Sequence, residues 1–431
     1  MLEKSFWQDT VQFPTLDSAR PLPAKVDVVI VGGGYTGMAA ARELAQRGAN
    51  VAVLEQHAFG WGASSRNGGM VLTGTKLSAS ALMQKYSQQT AQALWRGSMD
   101  AIAYVEKLVQ DEHIECDFHR RGHLELAWKP SHFKHYEDEA ELLNKVFRHP
   151  VTLVNKADLS QEIGSEAYHG GLLDTASAGL NPAQYAAGLM GATMNAGAAL
   201  FDQTAVQHIR KQTAGAAHSF NIITARGNIE ANYVLIATNG YTGPATPSLQ
   251  RKVVPVGSYI IATEPLPDAL AAELIPNRRM VYDSKNFLYY WRLSADNRMI
   301  FGGRASFVPE TANTVRESAA ILQRGMLEVH PQLAQAKIEY AWGGTLGFTF
   351  DLLPHAGQTR GGLFYALGCG GHGVAMLSHL GACVARRMSG EKDANPIFGL
   401  VMPSAPLGLY TGNPWFLPLV GAYYRLRDRF T

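Results

Sequence analysis

Residues Val28 to Gly37 read V-V-I-V-G-G-G-Y-T-G, and no other run constrains the fold of this 431-residue chain as tightly. An apolar strand, Val26 to Val31, runs straight into Gly32, Gly34 and Gly37. A helix-like stretch from Tyr35 to Arg47 begins inside the glycine run, and Gly48 stands where a helix would stop. A second apolar strand, Asn50 to Leu54, ends in Glu55. Strand, glycine turn, helix, strand and acid in this order form the dinucleotide-binding fingerprint in the context it requires. Gly32 permits the tight turn, Gly34 lets a pyrophosphate approach the backbone, and Gly37 lets the helix pack close to the strand. The helix start at Tyr35 and Thr36 offers free N–H groups and a partial positive charge to phosphates. Glu55, with Gln56 beside it, is placed to accept hydrogen bonds from ribose hydroxyls. A glycine turn in some other α/β unit would leave Glu55 without a task.

The length suggests two domains, or one large domain with an insertion. A formal net charge of +2 gives no reason to expect a nucleic-acid partner. The three cysteines, Cys116, Cys369 and Cys383, are far apart and match neither a metal-ligand spacing nor a disulfide framework. No metal is expected, and a reducing, cytoplasmic setting fits best. Met1 to Arg20 lacks the basic and apolar regions of a signal peptide. No uninterrupted apolar run is long enough to span a bilayer.

Hydrophobic periodicity predicts helices over Ser78–Glu115, Ser131–Phe147, Pro182–Ala196 and Thr314–His330. Strands are expected at Gly122–Trp128, within Phe201–Tyr233, at Tyr233–Ala237, and within Val253–Pro265, Met280–Gly303, Ala341–Phe350 and Gly361–Leu367. The fold class is α/β with an α+β second domain: a Rossmann-like nucleotide-binding domain interleaved with a β-rich one. The expected division gives residues 20–95, 152–252 and 341–395 to the nucleotide-binding domain. Residues 96–151 and 253–340 go to the β-rich substrate domain, and 396–431 form a tail.

Two more glycine loops follow. Ser64-Ser65-Arg66-Asn67-Gly68-Gly69 lies one loop length beyond the acid-terminated strand. With the first motif in place, it is read as bringing backbone N–H groups and Arg66 to a flavin ring. Gly368-Cys369-Gly370-Gly371-His372-Gly373 precedes an apolar helix. Its helix N-terminus would favour the negative charge of a reduced flavin. Cys369 is read as a small buried residue, and His372 as either a cap or a contact to flavin or substrate. An NAD-dependent dehydrogenase would leave both loops without a role.

These blocks resemble the D-amino-acid oxidase superfamily of FAD-dependent amine oxidoreductases. They occur in the expected order with Ala237-Thr238-Asn239-Gly240 and the D-x-x-P pattern at Asp351 to Pro354, and the resemblance covers residues 20 to about 395. The R-N-G-G loop and the Y-Y-W-R…F-G-G-R stretch at Tyr289 to Arg304 are most similar to γ-glutamylputrescine oxidases within that group. The resemblance implies oxidation of a C–N bond in a primary or secondary amine by hydride transfer to flavin N5. Imine hydrolysis and reoxidation by O2 to H2O2 complete the implied cycle. It implies cofactor contacts from Gly32, Gly34, Tyr35, Thr36, Gly37, Glu55, Gln56, Ser64 to Gly69, Thr238, Asn239 and Gly370 to Gly373. Arg66, His372, Tyr290 and Arg304 are the candidate catalytic residues.

Tyr259, Tyr289, Tyr290, Trp291 and Phe348 are candidates for an aromatic cage, although alternation forbids Tyr289 and Tyr290 from facing the same way. Arg292 and Arg304 are candidates to hold a substrate carboxylate. The W-G-G-T-L-G-F segment at Trp342 to Phe348 lacks the cysteine to which some sarcosine oxidases attach FAD, so non-covalent FAD is expected. Met299-Ile300-Phe301-Gly302 stands where the same relatives carry an oxygen-activating lysine, so an acceptor other than O2 stays open. The alternatives are a membrane-associated amino-acid dehydrogenase feeding a quinone and a non-catalytic FAD-binding protein. The aromatic and basic tail after Pro414 is expected to pack on the protein itself rather than to contact a membrane. The sequence leaves the oligomeric state open.

Overall fold

The computed structural model describes residues 1–214, 217–303, 313–393 and 395–430. Two eight-stranded sheets organise the molecule. The first is built on strand β1 (Lys25–Val31), helix α1 (Tyr35–Gln46) and strand β2 (Val51–Leu54). Strand β1 pairs in parallel with β2 on one side and with Gly227–Ile236 on the other. Strands Ala199–Phe201 and Phe364–Leu367 extend this parallel run outward. Both faces of β1 are covered, as an all-parallel strand run requires. Val28 and Ile30 pack beneath the helices, while Val26 and Val29 pack under the hairpin of Val206–Ala214 and Ala217–Thr224.

The helix layer includes α1, Pro182–Asn195, Gln88–Asp111 and Gly373–Met388. Asn181 caps Pro182–Asn195 by accepting from the N–H groups of Ala183 and Gln184. The helical stretch expected over Ser78–Glu115 is two helices, Ala79–Lys85 and Gln88–Asp111. Ser87 divides them by accepting from Thr90 N–H at the start of the second.

The second sheet runs in the order Ile338–Phe348, Val254–Thr263, Met299–Gly303, Tyr289–Leu293, Met280–Asp283, His123–Leu126, Gly170–Asp174, Thr152–Asn155. Helix Thr314–Val329 covers its back, with Leu322 and Met326 packed into a core that holds Leu124, Trp291 and Phe301. The sheets divide the chain differently from the expected boundaries. Strands Thr152–Asn155, Gly170–Asp174 and Ile338–Phe348 pair in the second sheet, not with the nucleotide-binding one. Helix Gln88–Asp111, which the expected boundary after residue 95 divides between the two domains, packs as a whole among the helices of the first. Nothing in the residues of these strands marks which sheet they join; only their hydrogen-bonded partners reveal it.

After Met388 the chain folds back across the molecule. Tyr410 is buried against Val254 and Val256, and its hydroxyl donates to Val253 O at 2.8 Å. Leu417–Phe430 is the C-terminal helix. No helix among the described residues is long and apolar enough to cross a membrane.

Candidate active site

A cavity of about 1320 Å³ runs from the glycine turn after β1 to the face of the second sheet. At its first end Gly32 has φ +107°, and a Cβ there would lie 2.7 Å from Ala237 O. A Cβ on Gly37 would lie 1.9 Å from Gly32 O, so the helix sits on the turn at a distance only glycine allows. Glu55 stitches this turn to the end of β2, accepting from Gly33 N–H at 2.8 Å and from His57 N–H at 2.9 Å. Burial raises the Glu55 carboxyl against the pull of these backbone donors.

The second glycine loop crosses the start of α1. Ser64 Oγ accepts from Tyr35 N–H at 3.1 Å, and Asn67 Nδ2 donates to Tyr35 Oη at 3.3 Å. Arg66 lies over the Trp61 ring, 4.9 Å from its centroid, and its Nη1 donates to Gly343 O at 3.4 Å. Gly68 backs onto the Tyr290 ring.

The third loop is tied to the Thr238–Gly240 turn by Asn239. Its Oδ1 accepts from Gly368 N–H at 2.9 Å, and its Nδ2 reaches Cys369 Sγ at 3.3 Å. Gly370 and Gly371 both have positive φ, and a Cβ on Gly371 would meet nothing within 4 Å. Helix Gly373–Met388 starts at His372 with no side-chain cap, leaving its first N–H groups open toward the cavity. Burial, then the positive charges of Lys76 and His123, lower the His372 imidazole to about 3, so it is neutral at pH 7.

The chain matches the family of FAD dependent oxidoreductases over residues 27–387. It belongs to that family. This FAD-dependent oxidoreductase is 34% identical to the probable oxidoreductase OrdL of Haemophilus influenzae, over 97% of this chain and 95% of the relative. It is 31% identical to the gamma-glutamylputrescine oxidoreductase of Escherichia coli, over 94% of this chain and 93% of that protein. Its fold matches the crystal structure of glycine oxidase from Geobacillus kaustophilus with a TM-score of 0.72 at 24% identity, covering 89% of this chain and all of that one.

The wall fits FAD on features of its own. Arg66 Nε and His372 Nδ1 are buried without a hydrogen-bond partner among the described residues. They stand at the two loops expected against the flavin, where a ligand with carbonyl and ring-nitrogen acceptors would satisfy them. The remaining cradle is backbone: Gly32, Gly34, Gly370 and Gly371 present peptide groups where any side chain would take up the space.

The cavity wall also holds Tyr35, Thr36, Glu55, Gln56, Ser64, Asn67, Gly68, Thr238, Asn239, Gly373 and Tyr290. Gly37, Ser65 and Gly69, expected as cofactor contacts, lie behind it. Ser65 is buried beneath the loop, where its hydroxyl donates to Gly60 O and accepts from Gln8 Nε2 at 2.9 Å. Gly69 turns away with φ +69°, toward Leu180 O and Arg292. Tyr35 reaches the cavity, but its hydroxyl is committed to Pro182 O at 3.0 Å.

Arg304 lies outside the described residues. Arg292 is no carboxylate ligand of this cavity. It is buried behind the second glycine loop, with Nη1 donating to Gly69 O at 3.1 Å and Leu180 O at 2.8 Å. Burial lowers its guanidinium to about 10, so it stays charged. Of the expected aromatic cage, Tyr290 and Phe348 reach the cavity, whereas Trp291 and Tyr259 are core residues and Tyr289 packs against that core. Strand alternation accounts for the opposite fates of Tyr289 and Tyr290.

A polar wall at the sheet end was not anticipated. His123 and Glu125 line the cavity from one strand, with Tyr282 from the next, Ser284 and Lys285 from the turn that follows it, and Tyr136 from helix Pro130–Leu142. Lys285 Nζ pairs with Asp283 at 3.0 Å and lies 3.9 Å from the Trp128 ring centroid. The sequence carried one signal for this wall. His123 and Glu125 share the face opposite Leu124 and Leu126, and a strand covered on both sides seldom carries charge without a function.

Proposed function

We propose that this FAD-dependent oxidoreductase oxidises the C–N bond of a primary or secondary amine of the γ-glutamylputrescine type. The observation that carries the reading is the composition of the cavity beyond the glycine loops. Tyr290 and Phe348 offer apolar flanks to an alkyl chain, and the wall ends in tyrosine hydroxyls and a carboxylate suited to a cation. The 31% identity to a gamma-glutamylputrescine oxidoreductase over 94% of the chain supports the same substrate class.

Gly32 to Thr36 and Glu55 hold the ADP half of FAD. Arg66 to Gly68 and Gly370 to Gly373 hold the ring, by backbone N–H groups and the open helix start. Bound FAD would accept the hydride, that is the electron pair with its proton, from the amine carbon while the nitrogen loses a proton, and O2 would take up that pair and two protons as H2O2. Water converts the imine to a carbonyl compound and a free amine. The chain's own contribution is orientation and exclusion of bulk water: Tyr290 packs the substrate side against Gly68, and Arg66 closes the edge over Trp61. FAD is held without a covalent bond. The cavity-lining Cys369 is buried beside the Asn239 amide, and no cysteine stands in the Trp342–Phe348 segment.

The test is anaerobic titration of the purified yellow protein with γ-glutamylputrescine, N-methyl amino acids and D-amino acids. Bleaching at 450 nm by the first, restored by air with release of H2O2, is the expected result. No bleaching by any of the three classes refutes the reading. Acid precipitation is expected to leave the flavin in the supernatant. A quinone as acceptor has one observation in its favour. The C-terminal helix lines the cavity with Leu417 and Val420 while exposing Leu419 and Tyr423. In that case substrate bleaches the flavin, air fails to restore it, and a soluble quinone succeeds.

A further inference from the structure

Across the second sheet, register places Glu125 opposite Tyr282, Tyr282 opposite Tyr290, and Tyr290 opposite Gly302. Directly opposed residues share a face, so Glu125, Tyr282 and Tyr290 form one row along the cavity floor. At one end of the row Tyr290 touches the Arg66–Gly69 loop through Gly68. At the other, Glu125 stands two strand spacings away, about 10 Å. The Tyr282 hydroxyl donates to Glu125 Oε2 at 3.4 Å and lies 3.2 Å from His123 Nε2. Tyr136 Oη lies on the same side of the cavity and donates to Leu126 O at 3.4 Å, beside the carboxylate.

Burial pushes the Glu125 carboxyl up to about 7, with Glu139 pushing the same way, while Tyr136, Lys76 and Tyr282 pull it down. Its charged form is therefore costly in the cavity as it stands, and a cation brought in by a ligand would offset that cost. Nothing in the adenosine-binding or flavin-binding ends of the cavity needs this carboxylate.

We propose that Glu125, held by Tyr282, is a cation subsite that receives a second ammonium group of the substrate, two strand spacings, about 10 Å, along the sheet from Tyr290. The inference rests on the amine reading of the cavity and narrows it. The preferred substrate is an elongated amine with a positive charge at the end that does not react. Monoamines of equal length fill the aromatic stretch beside Tyr290 but leave Glu125 without its cation.

The experiment compares γ-glutamylputrescine with N-glutarylputrescine, which keeps the chain and the carboxylate but lacks the distal ammonium. Wild type should show KM about ten-fold or more lower for the first, with similar limiting rates of flavin bleaching. In Glu125→Gln the preference should collapse toward equality through a higher KM for γ-glutamylputrescine alone, with the 450 nm flavin band unchanged. Glu125→Asp should recover part of it. A purely structural role for Glu125 predicts instead equal losses for both amines. Equal KM values in the wild type overturn the subsite without needing any variant, and leave the amine reading standing if both amines bleach the flavin. If neither bleaches it, the subsite falls as well, and the broader reading is then decided by the other amine classes.

Discussion

At the Gly32 end of the cavity the wall is mostly backbone, and at the Glu125 end it is side chain. The first end is made by loops whose glycines leave peptide groups exposed, and its fit depends on the absence of Cβ atoms at Gly32, Gly34 and Gly37. The second is made by His123, Glu125, Tyr136 and Tyr282, contributed by two strands and a helix. A backbone site tolerates few substitutions and binds a fixed ligand. A side-chain site is re-specified one residue at a time. The cofactor end should therefore respond to mutation by losing fold or flavin, and the substrate end by changing KM.

The largest effect is expected at Gly37. A Cβ there overlaps Gly32 O, so Gly37→Ala should cost about 3 kcal/mol and yield protein without the 450 nm band. Urea unfolding and the flavin-to-protein absorbance ratio measure this, and a yellow, stable variant would break the comparison. Arg292 comes next, because it tests whether a buried arginine close to the cavity belongs to the substrate end. It braces Gly69 O and Leu180 O. Arg292→Met should lower stability by about 2 kcal/mol, since two carbonyls lose a charged donor. KM for the oxidised amine should stay within about two-fold of wild type, as expected for a group with no ligand contact. A large rise in KM with unchanged melting temperature would return Arg292 to the substrate site.

The smallest expected effect concerns the brace between the two ends. Asp174 accepts from Thr73 Oγ1 at 2.6 Å and lies 2.6 Å from His149 Nε2. Burial pushes its carboxyl up, but the His149 hydrogen bond, the charges of His123 and His149, and Thr73 outweigh it and hold it down at about 2. A carboxylate depressed in the fold adds stability above its unfolded value and loses it as pH falls through the folded one. The contribution is full above about pH 5 and gone only near pH 1, below both values, and amounts to roughly 2 kcal/mol. Asp174→Asn should therefore be less stable at pH 7, and its urea midpoint should fall less between pH 5 and pH 3. Parallel pH curves for the two proteins would remove Asp174 from this role.

The legibility of the sequence follows the same division. The turn at Gly32, the acid at Glu55 and the loop before Gly373 could be read because backbone geometry restricts residue type locally: a positive φ or a close approach selects glycine within a short window. The split of Tyr289 from Tyr290 was legible from strand alternation. The meeting of Glu125 with Tyr282 was not, because it depends on which strands become neighbours, and pairing between residues more than 150 positions apart leaves no local mark. Arg292 shows the opposite error. A conspicuous arginine beside aromatic residues suggested a ligand, while the carbonyls that use it come from Gly69 and Leu180, far away in sequence.

Leu417, Val420 and Tyr424 close one side of the cavity from within the last fifteen residues of the chain. This wall belongs to neither sheet, so displacing it would open the pocket without breaking a single strand pairing.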